Sequence, residues 1–90
     1  MKNKIDFTRS FKRDYKLVKR QGKDIDKLFN VIDILACGKE LPWSYDDHLL
    51  QGEYKTYREC HIEPDWLLIY KVVDSVLILH RTGTHSNLFK

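Results

Sequence analysis

The run Trp66-Leu67-Leu68-Ile69-Tyr70 constrains this chain more than any other stretch. It has five consecutive apolar residues, preceded by Glu63-Pro64-Asp65 and followed by Lys71. That is too short for a buried helix and far short of the ~20 residues of a bilayer span. It fits a strand covered on both faces, and hence the middle of a sheet. The strand continues to Val73, and two further extended stretches rich in β-branched and aromatic residues flank it, at 54–62 and 76–81. The breaks between the three, Glu63-Pro64-Asp65 and Asp74-Ser75, are short enough for hairpins.

The first half of the chain has a different period. Ile5 and Phe7 alternate with polar neighbours and predict a short first strand. Phe7, Phe11, Tyr15 and Val18 (or Leu17) then recur every three or four residues, which predicts an amphipathic helix with Thr8 or Ser10 as cap and Gly22 at its end. A second helix starts at Asp24, with Ile25, Leu28, Phe29, Ile32 and Leu35 on its apolar face and Gly38 as its stop. So short a connection predicts a helical hairpin. Residues 39–52 read as a loop with one helical turn at 46–50, and the tail from Thr82 is expected to leave the sheet. The expectation is a single α+β domain over residues 1–90, with a two-helix hairpin packed on one face of a small, mainly antiparallel β-sheet.

Charge is divided unevenly along this plan. Residues 1–23 hold nine Lys and Arg against two Asp, whereas residues 41–90 hold five against seven Asp and Glu. Arg9, Lys12, Arg13, Lys16, Lys19 and Arg20, with Lys2, Lys4 and Lys23, make this first segment basic, and those from Arg9 on fall within the predicted helix or at its end. Such a face attracts polyanions, nucleic-acid backbone first among them; the alternative is a lysine-rich solvated surface. The start of the chain lacks the apolar stretch of a signal peptide, and Cys37 and Cys60 form neither a CxxC pair nor a disulfide framework. These features predict a cytoplasmic protein without a membrane segment, metal or cofactor.

All four histidines, His48, His61, His80 and His85, lie in the second half. Histidine exchanges protons near neutrality. His48, His61 and His85 fall in loops or at strand ends near Asp65, where a loop, a strand end, its turn and the tail can meet at one edge of a small sheet. No HxH or HExxH spacing supports a metal site. Cys60 and His61 are adjacent on a strand and point to opposite faces, which separates them as a nucleophilic pair and sends Cys60 to the core. Ser44 and Ser86 lack an elbow motif. Metal-free acid–base cleavage of a phosphodiester remains: a base for the 2′-hydroxyl, an acid for the departing 5′-oxygen, and positive charge near the phosphate, supplied by Arg58 or Arg81. The competing reading makes the histidines ordinary surface groups. His80, at the end of an apolar strand, reads as structural. Trp43 and Trp66 can stack on bases or simply bury area.

The segment DHLLQGEYKTYRECHIEPDWLLIYKV (47–72) followed by RTGTHSNLF (81–89) closely resembles the YafQ branch of the RelE/ParE toxin superfamily, in motifs, their order and their separations. Three departures are small: Tyr54 where relatives often have Trp, His80 outside the motif, and Lys90 one residue past Phe89. The resemblance implies a ribosome-dependent mRNA endonuclease, the toxin of a toxin–antitoxin pair, cutting the codon in the ribosomal A site without metal. It also implies an antitoxin partner, often with a ribbon-helix-helix half, through which the complex reaches operator DNA. By motif, the catalytic positions fall on His48, His61, Asp65 and His85. We favour His48 and His85 as the acid–base pair, with His61 and Asp65 orienting the phosphate or a histidine. Trp66 and Phe89 would stack on nucleotides, and the basic helix would contact ribosomal RNA. The alternative is a non-catalytic toxin of the same fold acting on a protein such as DNA gyrase; such relatives lack the histidine set.

Overall fold

Local signals set both long helices. In the computed structural model, which describes residues 3–89, strand β1 (Lys4–Phe7) leads into helix α1 (Arg9–Arg20). Lys2 and Lys90 lie outside the described residues. Thr8, not Ser10, caps α1: its Oγ1 accepts the Phe11 amide at 3.0 Å. Lys19 and Arg20 in the last turn complement the helix dipole, and Gly22 follows at φ 77°. Helix α2 (Ile25–Ala36) is capped by Asp24, whose Oδ1 accepts from the Asp26 amide. Its buried face is Leu28, Val31, Ile32, Leu35 and Ala36. Phe29, expected on that face, instead stays half exposed beside Tyr15 at the outer edge of the hairpin.

Four more strands complete the sheet: β2 (His48–Leu49), β3 (Arg58–Glu63), β4 (Trp66–Val73) and β5 (Val76–Gly83). The order is β1-β5-β4-β3-β2, with β1 parallel to β5 and the other pairs antiparallel. The run 66–70 is buried throughout and β4 is central, as its composition requires. Asp74 and Ser75 both take positive φ in the β4–β5 turn, the conformation that matches strand twist in a two-residue hairpin. Among the described residues, no helix is long and apolar enough to cross a membrane.

Three boundaries differ from the sequence reading. β3 begins at Arg58 because 52–54 form a 3-10 turn, entered through Gly52 at φ 70°. The helical turn lies earlier than expected, at Trp43–Tyr45; Asp46 at φ 49° ends it, and the chain then extends into β2. β5 runs on through Thr82 and Gly83 before helix α3 (His85–Leu88), capped by Thr84.

The alternation of β4 divides the core. Trp66, Leu68 and Tyr70 face the helices with Cys60, Ile62, Leu77 and Leu79. Leu67 and Ile69 face the other way and are covered in part by Leu88, Leu50 and Tyr57. Cys60 is buried as expected, and that burial raises its thiol pKa, so it stays protonated. His80 is the extra residue of a bulge opposite Ile69 and Tyr70. Its ring stacks on Tyr57 with centroids 4.4 Å apart, and burial lowers its pKa, keeping the imidazole neutral.

Candidate active site

The sheet face opposite the helices gathers the ionisable groups. Glu59 and His61 alternate with Cys60 on β3 and so leave the core for this face, directly across from Ile69 and Leu67. His48 on β2 pairs with Glu59 and joins them. Asp65, in the β3–β4 turn, and His85, the first residue of α3, close the group from the other side. The meeting point is thus part of a face and not the sheet edge that the sequence reading expected.

Spacing defines the chemistry. The His48 and His61 rings are 6.3 Å apart between centroids, and those of His61 and His85 are 5.9 Å apart. Glu59 Oε1 lies 3.6 Å from His48 Nε2 and 3.8 Å from His61 Nε2, and its side chain is only 8% exposed. One shielded carboxylate therefore faces two imidazoles. His48 Nδ1 is 2.7 Å from the Asp46 carbonyl oxygen. A carbonyl can only accept, so Nδ1 carries the hydrogen in this contact and Nε2 is the nitrogen free to exchange a proton. His61 Nδ1 is 3.6 Å from Asp46 Oδ2.

Asp65 grips His85 twice. Its Oδ1 accepts the backbone amide at 3.0 Å and lies 2.7 Å from ring Nδ1. The ring hydrogen bond holds the Asp65 pKa below the usual aspartate range, and the backbone bond adds to the effect. Asp65 is therefore a carboxylate throughout the neutral range, and its contact with Nδ1 leaves Nε2 as the His85 ring nitrogen outside that hydrogen bond.

Two expected substrate contacts lie off the histidine face. Trp66 is 0% exposed, its Nε1 donating to Thr82 Oγ1 at 2.9 Å in the core beneath the helices, so it cannot stack on a nucleotide. Arg58 lies on the helix side of the sheet, where its Nε donates to Asp47 Oδ1 at 2.9 Å, away from the histidine face. Arg81 is held from α1: Asp14, buried, accepts from its Nε at 2.6 Å and its Nη2 at 3.1 Å, and from the Thr82 amide. Phe89 follows α3 and is 41% exposed, its ring edge-on to Tyr54. Trp43 is 92% exposed on the 3-10 turn. Arg9, Lys12, Arg13, Lys16, Lys19 and Arg20 are all exposed on α1.

Glu59 and Asp46 escaped the sequence reading. The alternation that separates Cys60 from His61 also places Glu59 on the face of His61, so the signal for Glu59 was present. Glu59, His61 and His85 each offer a ligand atom, all within 4.8 Å of one another, a spacing compatible with one metal ion.

Two long helices and a short third one on a five-stranded mixed sheet make an α+β fold of the RelE-like kind, with a histidine–carboxylate cluster on its open face. The chain belongs to the YafQ family, described as "Bacterial toxin of type II toxin-antitoxin system, YafQ", which matches residues 3–90. It is 44% identical over 86 residues to the mRNA interferase toxin YafQ of Escherichia coli K12, covering 94% of each chain. The E. coli DinJ–YafQ toxin–antitoxin complex contains the same fold, with a TM-score of 0.91 at 42% identity over 100% of both chains. A metal-bound toxin from Helicobacter pylori gives a TM-score of 0.90 at 38% identity, over 97% of this chain and 99% of that one.

Proposed function

We propose that this protein is an mRNA endoribonuclease, the toxin of a type II toxin–antitoxin pair, which cleaves message in the ribosomal A site and stops translation in the cytoplasm. One observation carries the reading: three imidazoles and two carboxylates converge on one accessible sheet face. His61 stands between His48 and His85, so a phosphate seated against it has an imidazole on each side. His48 and His85 act as the acid–base pair, one taking the 2′-hydroxyl proton and the other protonating the departing 5′-oxygen. Glu59 stabilises the imidazolium that forms on His48 or His61, and Asp65 keeps the His85 ring in a fixed tautomer and orientation. Arg81, across from Ile69 and fixed by Asp14, supplies positive charge, while Phe89 takes a base by stacking. A cation on Glu59, His61 and His85 would supply Lewis-acid charge, but it would occupy imidazole lone pairs that the acid–base route needs.

The test is a translation reaction with a reporter message, with 5′ ends mapped by primer extension. New ends at in-frame codons, formed only with ribosomes present, support the proposal. Intact message sinks it, and intact message with loss of DNA supercoiling would indicate the gyrase-directed reading.

The basic face of α1 is assigned to ribosomal RNA, and the inhibiting partner is an antitoxin, through which operator DNA is reached. Reversing Lys12, Lys16 and Lys19 to Glu is expected to weaken ribosome binding. It should also flatten the dependence of log affinity on log salt by about 0.7–0.9 per lost phosphate contact. Filter binding across a salt series measures this, and an unchanged slope would make the face a solvated surface only.

A further inference from the structure

We infer that Asp47, Arg58 and Tyr70 form a latch on the helix side of the sheet that positions His48 on the opposite side; the inference rests on the nuclease reading above. The need for a latch follows from how His48 is carried. β2 is two residues long, and among the described residues it pairs with β3 alone, His48 against Glu59 and Leu49 against Arg58. It follows a left-handed residue, Asp46 at φ 49°. So short an edge strand does not by itself hold a ring to the few tenths of an ångström that proton transfer requires.

Asp47 supplies the missing constraint. Its Oδ1 accepts from Arg58 Nε at 2.9 Å, its Oδ2 accepts from the Tyr70 hydroxyl at 2.5 Å, and its backbone oxygen lies 3.4 Å from Arg58 Nη2. Tyr70 belongs to the central strand and is 2% exposed, which makes it a rigid post. Because successive extended residues point to opposite faces, pinning the Asp47 side chain beneath the sheet fixes where His48 emerges above it. From above, the Asp46 carbonyl and Glu59 meet the same ring. Residues 46–48 are thus clamped from both faces. Asp47, Arg58 and Tyr70 lie away from the histidine face, so they are positioning residues and not catalytic ones.

Single-turnover cleavage of ribosome-bound message by Asp47→Ala, His48→Ala and the double variant tests the latch. Asp47→Ala alone should lose about 10²-fold, the cost of a misplaced catalytic group, and should add nothing to the loss in the His48→Ala background. Tyr70→Phe keeps the buried ring and removes one hydrogen bond; it should lose about fivefold and shift the His48 imidazole ¹⁵N resonances while leaving those of His85 in place. A multiplicative loss in the double variant, or His48 resonances unmoved by Tyr70→Phe, overturns the inference. If Asp47→Ala does not fold, the Tyr70→Phe resonances decide. They decide also if the wild-type protein cleaves nothing, an outcome that removes the nuclease reading and not the latch.

Discussion

Replacing His85 by alanine is expected to slow cleavage of ribosome-bound message by about 10²–10⁴-fold, the contribution of one positioned acid or base, with the fold unchanged. His85 is half exposed, and its ring touches Asp65 and the His61 ring without entering either core cluster. Its backbone amide also donates to Asp65, a bond that alanine keeps, so α3 should stay docked. The Asp65 carboxylate keeps that contact over a wide pH range. Its pKa is lowered in the folded protein, so its stabilising effect is fully present above the ordinary aspartate pKa. It is lost only as pH falls through the lowered value. Single-turnover rates and thermal midpoints measured on the same preparations check the prediction. A wild-type rate for His85→Ala would remove this residue from the chemistry.

Trp66→Ala should act in the opposite way, destabilising the fold by about 3–5 kcal/mol. The indole is wholly buried between the sheet and the helices, and its Nε1 donates to Thr82 Oγ1, whose hydroxyl in turn donates to the Leu67 carbonyl. Truncation opens a large cavity and takes the donor away from a buried hydroxyl. Net stabilities of small domains are about 5–15 kcal/mol, so this one change should consume a large fraction and lower the urea midpoint sharply. An unchanged midpoint combined with weakened RNA binding would restore Trp66 as a stacking residue.

The burial of Trp66 marks the limit of a composition signal. Five apolar residues in a row identify a strand covered on both sides, but they do not reveal which residue faces the helices; that follows from register. The place of Arg58 follows from register too. On β3 it shares a face with Cys60, and only the pairing of β2, β3 and β4 brings Asp47 and Tyr70 to it. The helices were legible because their signals are local: Thr8, Asp24, Gly22 and Gly38 act within a turn of where they stand. β2 was invisible because two residues carry no period. The parallel pairing of β1 with β5 joins residues about seventy positions apart, which no local pattern records.

Within the site, the histidines and Asp65 were legible as residue types whose chemistry is specific. Glu59 was not singled out because a charged residue on a half-exposed strand is ordinary until its neighbours are known. Its burial beside two imidazoles is what makes it part of the site.

The chemical identity of the cut ends tests the acid–base claim most directly. Attack by the neighbouring 2′-hydroxyl, with imidazoles exchanging the protons, leaves a 5′-hydroxyl on one fragment and a 2′,3′-cyclic phosphate or its 3′-phosphate product on the other. Treating the cleaved message with polynucleotide kinase and labelled ATP, without prior phosphatase, should label the new 5′ ends. Ends that accept label only after phosphatase treatment carry a 5′-phosphate; that result means water attacked the phosphorus, and it would contradict the account.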